Sequence, residues 1–476
     1  MTALRKEIVE YVQTQIVRAN ARLTPYVKKE NGWVYPSRYG FIKVTKLLDD
    51  FLNGEKDNRL VVIPGLRGVG KTTLLAQTYF KYRLLIKNII YVSMDEAVVT
   101  LGSSITEVLS VYEKILGKSY EDQDEPVLLL IDEVQQDEKW AQTLKSLYDK
   151  SRNVFVICSG SSAVSLQSNP DIVRRASFEK LYPLSFGEYL MLKRNIFPNA
   201  GLKSKIKEAV YNSSNAKDVY LKLKLLEPQI LQAWSKIDQL DVDDFLTTGT
   251  LPFTLAKKDK ADIYRKIDFL LDRIITQDIQ SLGKFDPDTL GCIKKLLFIL
   301  AEGDAVSMAK LTTVLGKNKA TLSLVLDTLE KAELVIKVPP NGSNVAQVRK
   351  PSKYLFMTPA VRMALLNVTG SETTFLTNKG KLLEDIVALH FYREFVTSKK
   401  GMLTYDSAQA SADFILKTNN RVIAIEVGTG DKSSKQLKAT MAKTKCDFGV
   451  TFSSDVLTLC EPENSVKVPL QYFLLM

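Results

Sequence analysis

An apolar, β-branched run, Arg59-Leu-Val-Val-Ile-Pro-Gly65, passes directly into Leu-Arg-Gly-Val-Gly70-Lys71-Thr72-Thr73 and then into a helix-length stretch ending near residue 86. No other feature of the chain restricts its fold so strongly. Glycines at 65, 68 and 70 let the backbone curl until successive N–H groups face one point, and the helix N-terminus behind them adds a positive dipole end. In the order strand, loop, helix, the pattern G-x-x-x-x-G-K-[ST] implies a phosphate-binding site. Lys71 is then the residue that reaches the β- and γ-phosphates, and Thr72 offers its hydroxyl to Mg²⁺. Gly65, Arg67, Gly68, Val69, Gly70, Lys71, Thr72 and Thr73 form the expected cofactor-binding loop.

Further apolar runs at 88–95, 126–133 and 153–160 alternate with helix-length segments at 72–86, 104–117 and 138–150. Strands that are apolar on both faces and separated by helices imply a parallel sheet covered on both sides. The run Val127-Leu-Leu-Leu-Ile-Asp132-Glu133 ends in two carboxylates, a pattern that places Asp132 in the magnesium shell and lets Glu133 polarise an attacking water. The chain contains no Asn-Lys-x-Asp segment of the kind that selects guanine, so ATP with Mg²⁺ is the expected cofactor pair. After the next strand, Ser159-Gly-Ser161-Ser162 falls where the C-terminal edge of the sheet meets the γ-phosphate. Downstream, Arg174 and Arg175 offer guanidinium groups that could stabilise charge on the transferring phosphoryl group, in cis or from a neighbouring subunit.

The 476 residues leave room for about three domains at roughly 100 to 200 residues each. With 45% hydrophobic and 25% charged residues, the composition is that of a globular chain. No apolar run approaches the roughly 18 to 20 residues of a membrane helix, and the N-terminus lacks a secretory h-region, so a cytoplasmic location without membrane contact is expected. The four scattered cysteines form no CxxC pair, and the single histidine, His390, excludes chemistry built on several histidines. Residues 1–30 show helical periodicity through Leu4, Ile8, Tyr11, Val12, Gln15 and Ile16, with Pro25 expected to stop it.

These patterns divide the chain into a helical N-terminal arm (1–55), a phosphate-loop core (56–195) and a helical lid (196–286). Next come three helices and a basic hairpin in winged-helix order (287–360) and a C-terminal α/β domain (370–476).

GLRGVGKTTLL, LLIDEVQ, ICSGSS, RRASFEKLYPLSFGEYL, FLTTGTLPF and RIITQDI together resemble the prokaryotic AAA-type P-loop ATPases, near the archaeal ATPase and STAND-like branch. The resemblance implies an α/β fold: an AAA-type parallel sheet with helical lid, a winged helix and a C-terminal restriction-endonuclease-like domain. It also implies that Lys71, Glu133 and Arg175 act in catalysis, that Thr72 and Asp132 hold the metal, and that Ser161 is the polar sensor. Arg174 stands where that family has glycine, which weakens the finger role of Arg175. For the PD-(D/E)XK type of nuclease centre the C-terminal domain offers Glu384, Asp413 and Glu426. Gly428 occupies the position of the motif lysine, so a degenerate domain is expected unless Lys417, Lys432 or Lys435 substitutes.

The net charge of +11 favours a polyanion partner, and DNA is the expected one. Lys337, Arg349, Lys350 and Lys353 meet no acid between 335 and 353, and 417–445 holds seven basic residues against two acids. By contrast the third helix of the set, 317–333, is neutral. Three functions follow: a DNA-acting motor or remodelling ATPase, a STAND-like switch that passes its state to a protein partner, and an ATP-regulated nuclease. Arg175 acting in trans would require a homo-oligomer.

Overall fold

In the computed structural model the described residues are 5–29, 32, 34–161, 170–303, 306–343, 347, 350–366, 372–408, 410–430, 434–453 and 456–476. Strands β1 (Leu60–Pro64), β2 (Asn88–Ser93), β3 (Val127–Asp132), β4 (Val154–Gly160) and β5 (Ser177–Phe178) form a parallel sheet in the order β2-β3-β4-β1-β5. Every residue of β1, β3 and β4 is buried, as helices on both faces require. The register sets Ile63 opposite Ser159 on β1 and β4, and Leu130 opposite Ile157 on β3 and β4.

The first helix, Lys6–Val27, continues two residues past Pro25, because a proline in the last turn removes one donor while Lys28 still bonds back to Thr24 at 2.9 Å. The segment expected as a helical arm packs as a layer of the sheet domain. Ile8, Tyr11 and Val12 share one hydrophobic core with Leu60, Ile90, Leu129 and Val156.

The chain divides into two compact units, Met1–Tyr182 and Pro183–Met476. The expected core ended at residue 195, but the helix Phe186–Arg194 belongs to the second unit. There its aromatic face finds partners: Phe186 packs on Phe245 at 5.2 Å and on Trp234 at 5.8 Å between ring centroids.

Within the second unit, three helices, Pro287–Glu302, Met308–Leu315 and Lys319–Lys331, lead into the antiparallel pair β6 (Val335–Val338) and β7 (Lys353–Phe356). A six-stranded mixed sheet follows, built from β8 (Gly401–Thr404), β9 (Phe414–Thr418), β10 (Val422–Val427), β11 (Phe448–Phe452), β12 (Thr458–Cys460) and β13 (Ser465–Val468) in the order β12-β13-β11-β10-β9-β8. The helix Ala216–Trp234, which falls in the expected lid, packs on β11, β12 and β13 of this sheet. Ala216 N–H donates to Asn464 at 3.1 Å and Arg421 to the Ser213 carbonyl at 3.0 Å, so the stretch is a covering layer of the C-terminal sheet.

A fully buried ion pair ties this unit together. Arg362 donates to both carboxylate oxygens of Asp385, at 2.7 and 2.8 Å, and to the Ala301 carbonyl at 2.9 Å, while Asp385 also accepts from Phe356 N–H. Among the described residues no helix is long and apolar enough to cross a membrane.

Candidate nucleotide site

The order β3-β4-β1 sets three strand ends side by side, so the loop after β1, the serines of β4 and the acids of β3 meet at one edge. Gly68 and Gly70 adopt φ of 84° and 97°, a conformation that side chains resist. A Cβ on Gly65 would press into the Leu181 carbonyl, so only glycine fits there. Arg38, buried directly ahead of the helix Tyr39–Leu52, donates to the carbonyls of Val69 at 2.6 Å and Tyr182 at 2.8 Å and braces the loop from outside. Thr73 lies in the first turn of the helix Lys71–Tyr82.

Lys71 is 5% exposed and donates across the loop to the Gly65 carbonyl at 2.8 Å and the Leu66 carbonyl at 3.3 Å. Thr72 donates its hydroxyl to Asp132 Oδ2 at 2.6 Å, and Tyr91, from β2, donates to the same oxygen at 3.1 Å. Ser159 donates to the other oxygen, which also accepts the Glu133 N–H at 3.2 Å. Burial, and then the neighbouring Glu133 charge, push the Asp132 carboxyl above its ordinary range; the Ser159 and Thr72 hydroxyls and Lys71 oppose the shift. A carboxylate with this set of hydroxyl donors and a lysine at hand fits a divalent cation and its phosphate ligands. Asp132 and Thr72 would hold that ion, and the loop N–H groups with Lys71 would hold the phosphates.

Glu133 has φ of 54°, a left-handed backbone that a non-glycine residue adopts only when its surroundings impose it. Its Oε2 accepts from Gln135 Nε2 at 2.5 Å and lies 4.0 Å from the Arg67 guanidinium. Gln135 also donates to the buried Ser161 hydroxyl at 2.9 Å, which links Glu133 to the end of β4. Ser162 lies outside the described residues.

Arg175 does not join this cluster. Its guanidinium pairs with both oxygens of Asp149, at 2.7 and 2.9 Å, and with the Asp171 carbonyl at 3.1 Å, while Arg174 sits exposed in the adjoining turn. The sequence reading missed Tyr91, Gln135, Arg38 and the bond from Ser159 to Asp132. Only Ser159 carried a signal, since it precedes Ser161 by the two residues that put both on one side of a strand.

In the C-terminal domain, Glu384 pairs with Lys353 from β7, and the same ammonium lies 3.8 Å from Asp413. Asp413 accepts the Val427 N–H at 2.8 Å, and Glu426 is buried in β10. Among the described residues no three acids, histidines or cysteines stand close enough together to hold a metal ion. A lysine does approach the acids, but it comes from the hairpin; among the described residues Lys417 and Lys435 make no hydrogen bond or ion pair with them, and Lys432 lies outside the described residues.

Residues 57–190 match the family model described as an AAA domain, and residues 239–372 match one described as a domain of unknown function. Residues 57–190 thus form an AAA-type P-loop ATPase domain. The chain belongs to one family with the uncharacterized protein MJ1637 of Methanocaldococcus jannaschii, which is 34% identical over 477 residues covering 99% of this chain and 94% of that protein. Solved structures similar to it include the Thermotoga maritima RuvB Holliday junction branch migration motor, at 15% identity over 72% of this chain and 95% of that one, with a TM-score of 0.31. The Aeropyrum pernix ORC1 protein in complex with DNA is similar at 16% identity, over 73% and 96% of the two chains, also with a TM-score of 0.31.

Proposed function

We propose that the protein binds ATP with Mg²⁺ on the loop 65–73, hydrolyses it with Glu133 polarising the water, and couples turnover to movement of its second unit on DNA. The observation that carries the nucleotide chemistry is the Thr72–Asp132 bond at 2.6 Å, which joins the phosphate loop to the acid at the end of β3. In this reading 287–360 is a winged helix and 370–476 a degenerate endonuclease-like domain without cleavage activity, since Lys353 neutralises Glu384 and Asp413.

The DNA contact is best assigned to the helix Lys435–Thr444. Lys435 and Lys438 on it, and Lys445 directly after it, are exposed, and none has an ion pair among the described residues. The hairpin is a weaker candidate. Lys337 pairs with Asp327 at 3.0 Å, Lys353 with Glu384, and Lys350 bonds to Ser407, while Arg349 lies outside the described residues. The helix Lys319–Lys331 has little left for reading bases: Asn318 caps it by accepting from Thr321 N–H, and Lys317 pairs with Asp288. Binding through backbone phosphates alone is weakly sequence-selective and strongly salt-dependent.

The test is ATP turnover measured with single-stranded, double-stranded and branched DNA at low salt. Stimulation by any of them supports the DNA role; unchanged turnover and no binding with all three would remove it. The hairpin's internal pairing favours, as a second reading, a switch acting on a protein partner, for which nucleotide retained through purification is the expected sign.

A further inference from the structure

Gln135 lies in the short turn Val134–Gln136 directly after Glu133. An ionised carboxylate can only accept, so the 2.5 Å contact with Glu133 Oε2 identifies the facing atom of Gln135 as its Nε2. Ser161 takes the second proton of that group at 2.9 Å. The amide orientation is therefore fixed, with Oε1 as its remaining polar atom. That oxygen is buried and has no hydrogen-bond partner among the described residues. A buried acceptor left without a donor is costly and rare, and where it occurs beside a reacting centre it is a place for a bound water.

We propose that Gln135 Oε1 accepts a hydrogen bond from the attacking water of ATP hydrolysis, so that Gln135 and Glu133 together orient it. The inference rests on the assignment of Glu133 as the polarising acid. The water oxygen forms a bond to the γ-phosphorus. The bond from that phosphorus to the β–γ bridging oxygen breaks, its electron pair staying on the oxygen of ADP. One water proton passes to Glu133 and returns to the phosphate, while the other stays in the bond to Gln135, which transfers none. Two acceptors fix both hydrogens of the water and so direct its lone pair, whereas one acceptor leaves it free to rotate. Because Gln135 Nε2 also holds Ser161, the end of β4 and the acid of β3 are kept in one arrangement around that water.

The test uses the full chain with Gln135→Met, which has no polar atoms, and Gln135→Lys, which keeps a donor for Glu133 and Ser161 but has no acceptor. Both variants are expected to lose about 10- to 100-fold in kcat, the effect of one well-placed hydrogen bond, with ATP KM changed less than about 3-fold. Capture of ADP with beryllium fluoride, a ground-state mimic, should persist, and capture with aluminium fluoride, which mimics the in-line geometry, should be lost. Wild-type turnover in Gln135→Lys would overturn the inference, since the donor alone would then suffice, and so would unchanged aluminium fluoride capture. Glu133→Gln separates the two levels. If that variant turns over normally, the underlying assignment falls; if it is inactive while Gln135→Lys is active, only the role of Gln135 falls.

Discussion

Lys353, the first residue of β7, is ion-paired with Glu384 on the helix Glu372–Phe391, with side chains only 10% and 15% exposed. Removing one partner of a pair so far withdrawn from water leaves an uncompensated charge, a loss of about 3 kcal/mol. Lys353→Met should therefore lower the thermal midpoint of the second unit, and Lys353→Met with Glu384→Gln should recover part of it. No Mg²⁺-dependent DNA cleavage is expected from the wild type; cleavage abolished by Asp413→Ala would contradict this assignment.

Arg362 and Asp385 are both fully buried, and the guanidinium also satisfies a carbonyl of the helix Pro287–Glu302. Arg362→Met should destabilise the second unit by about 3–5 kcal/mol, seen as earlier thermal unfolding and faster proteolysis after Pro183. Asp385→Asn keeps the size and some hydrogen bonds and should cost less.

Ser159 and Tyr91 orient Asp132, each donating to one of its two carboxylate oxygens. Such outer partners tune metal affinity by about 10-fold. Ser159→Ala and Tyr91→Phe should each raise the Mg²⁺ concentration needed for half-maximal turnover, while kcat at saturating Mg²⁺ falls much less.

His390 is half-buried beside Tyr211, and desolvation, then the charges of Lys207, Lys203 and Arg393, hold its pKa well below the ordinary value. Below about pH 6.5 the unfolded chain takes up a proton at this position that the folded chain refuses. Stability contributed by the neutral imidazole is thus complete above that pH and falls on acidification, by at most about 1.4 kcal/mol per pH unit. His390→Gln should flatten the decline of the thermal midpoint between pH 6.5 and 5. An unchanged slope would assign the acid sensitivity to other groups.

Each phosphate-neutralising lysine adds about 0.9 to the slope of log affinity against log salt on duplex DNA. Lys435→Ala and Lys438→Ala should each reduce that slope by about one, with little change in sequence preference.

The sheet and the phosphate loop were legible because apolar runs and a glycine pattern are local properties of the chain. The strands at 60–64, 88–93, 127–132 and 154–160 fall within the runs read as strands. What could not be read depends on contacts between distant segments. Tyr91 looks like any aromatic in a buried strand until β2 pairs with β3 and brings its hydroxyl to Asp132. Lys353 counts as one more positive charge of the hairpin until the helix Glu372–Phe391 brings Glu384 to it. Pro25 misled because a proline near a helix end has little left to interrupt. The boundary after Tyr182 was hidden because Phe186 and Tyr189 continue the apolar pattern and find their aromatic partners some sixty residues later, at Phe245.

In the proposed function one site, built from Lys71, Thr72, Asp132 and Glu133, hydrolyses ATP. Steady-state phosphate release with Mg²⁺, compared among wild type, Lys71→Ala and Glu133→Gln together with ATP binding, tests it most directly. Lys71→Ala should lose both binding and turnover, and Glu133→Gln should keep binding while turnover falls at least about 100-fold. Turnover retained by both variants would contradict the account.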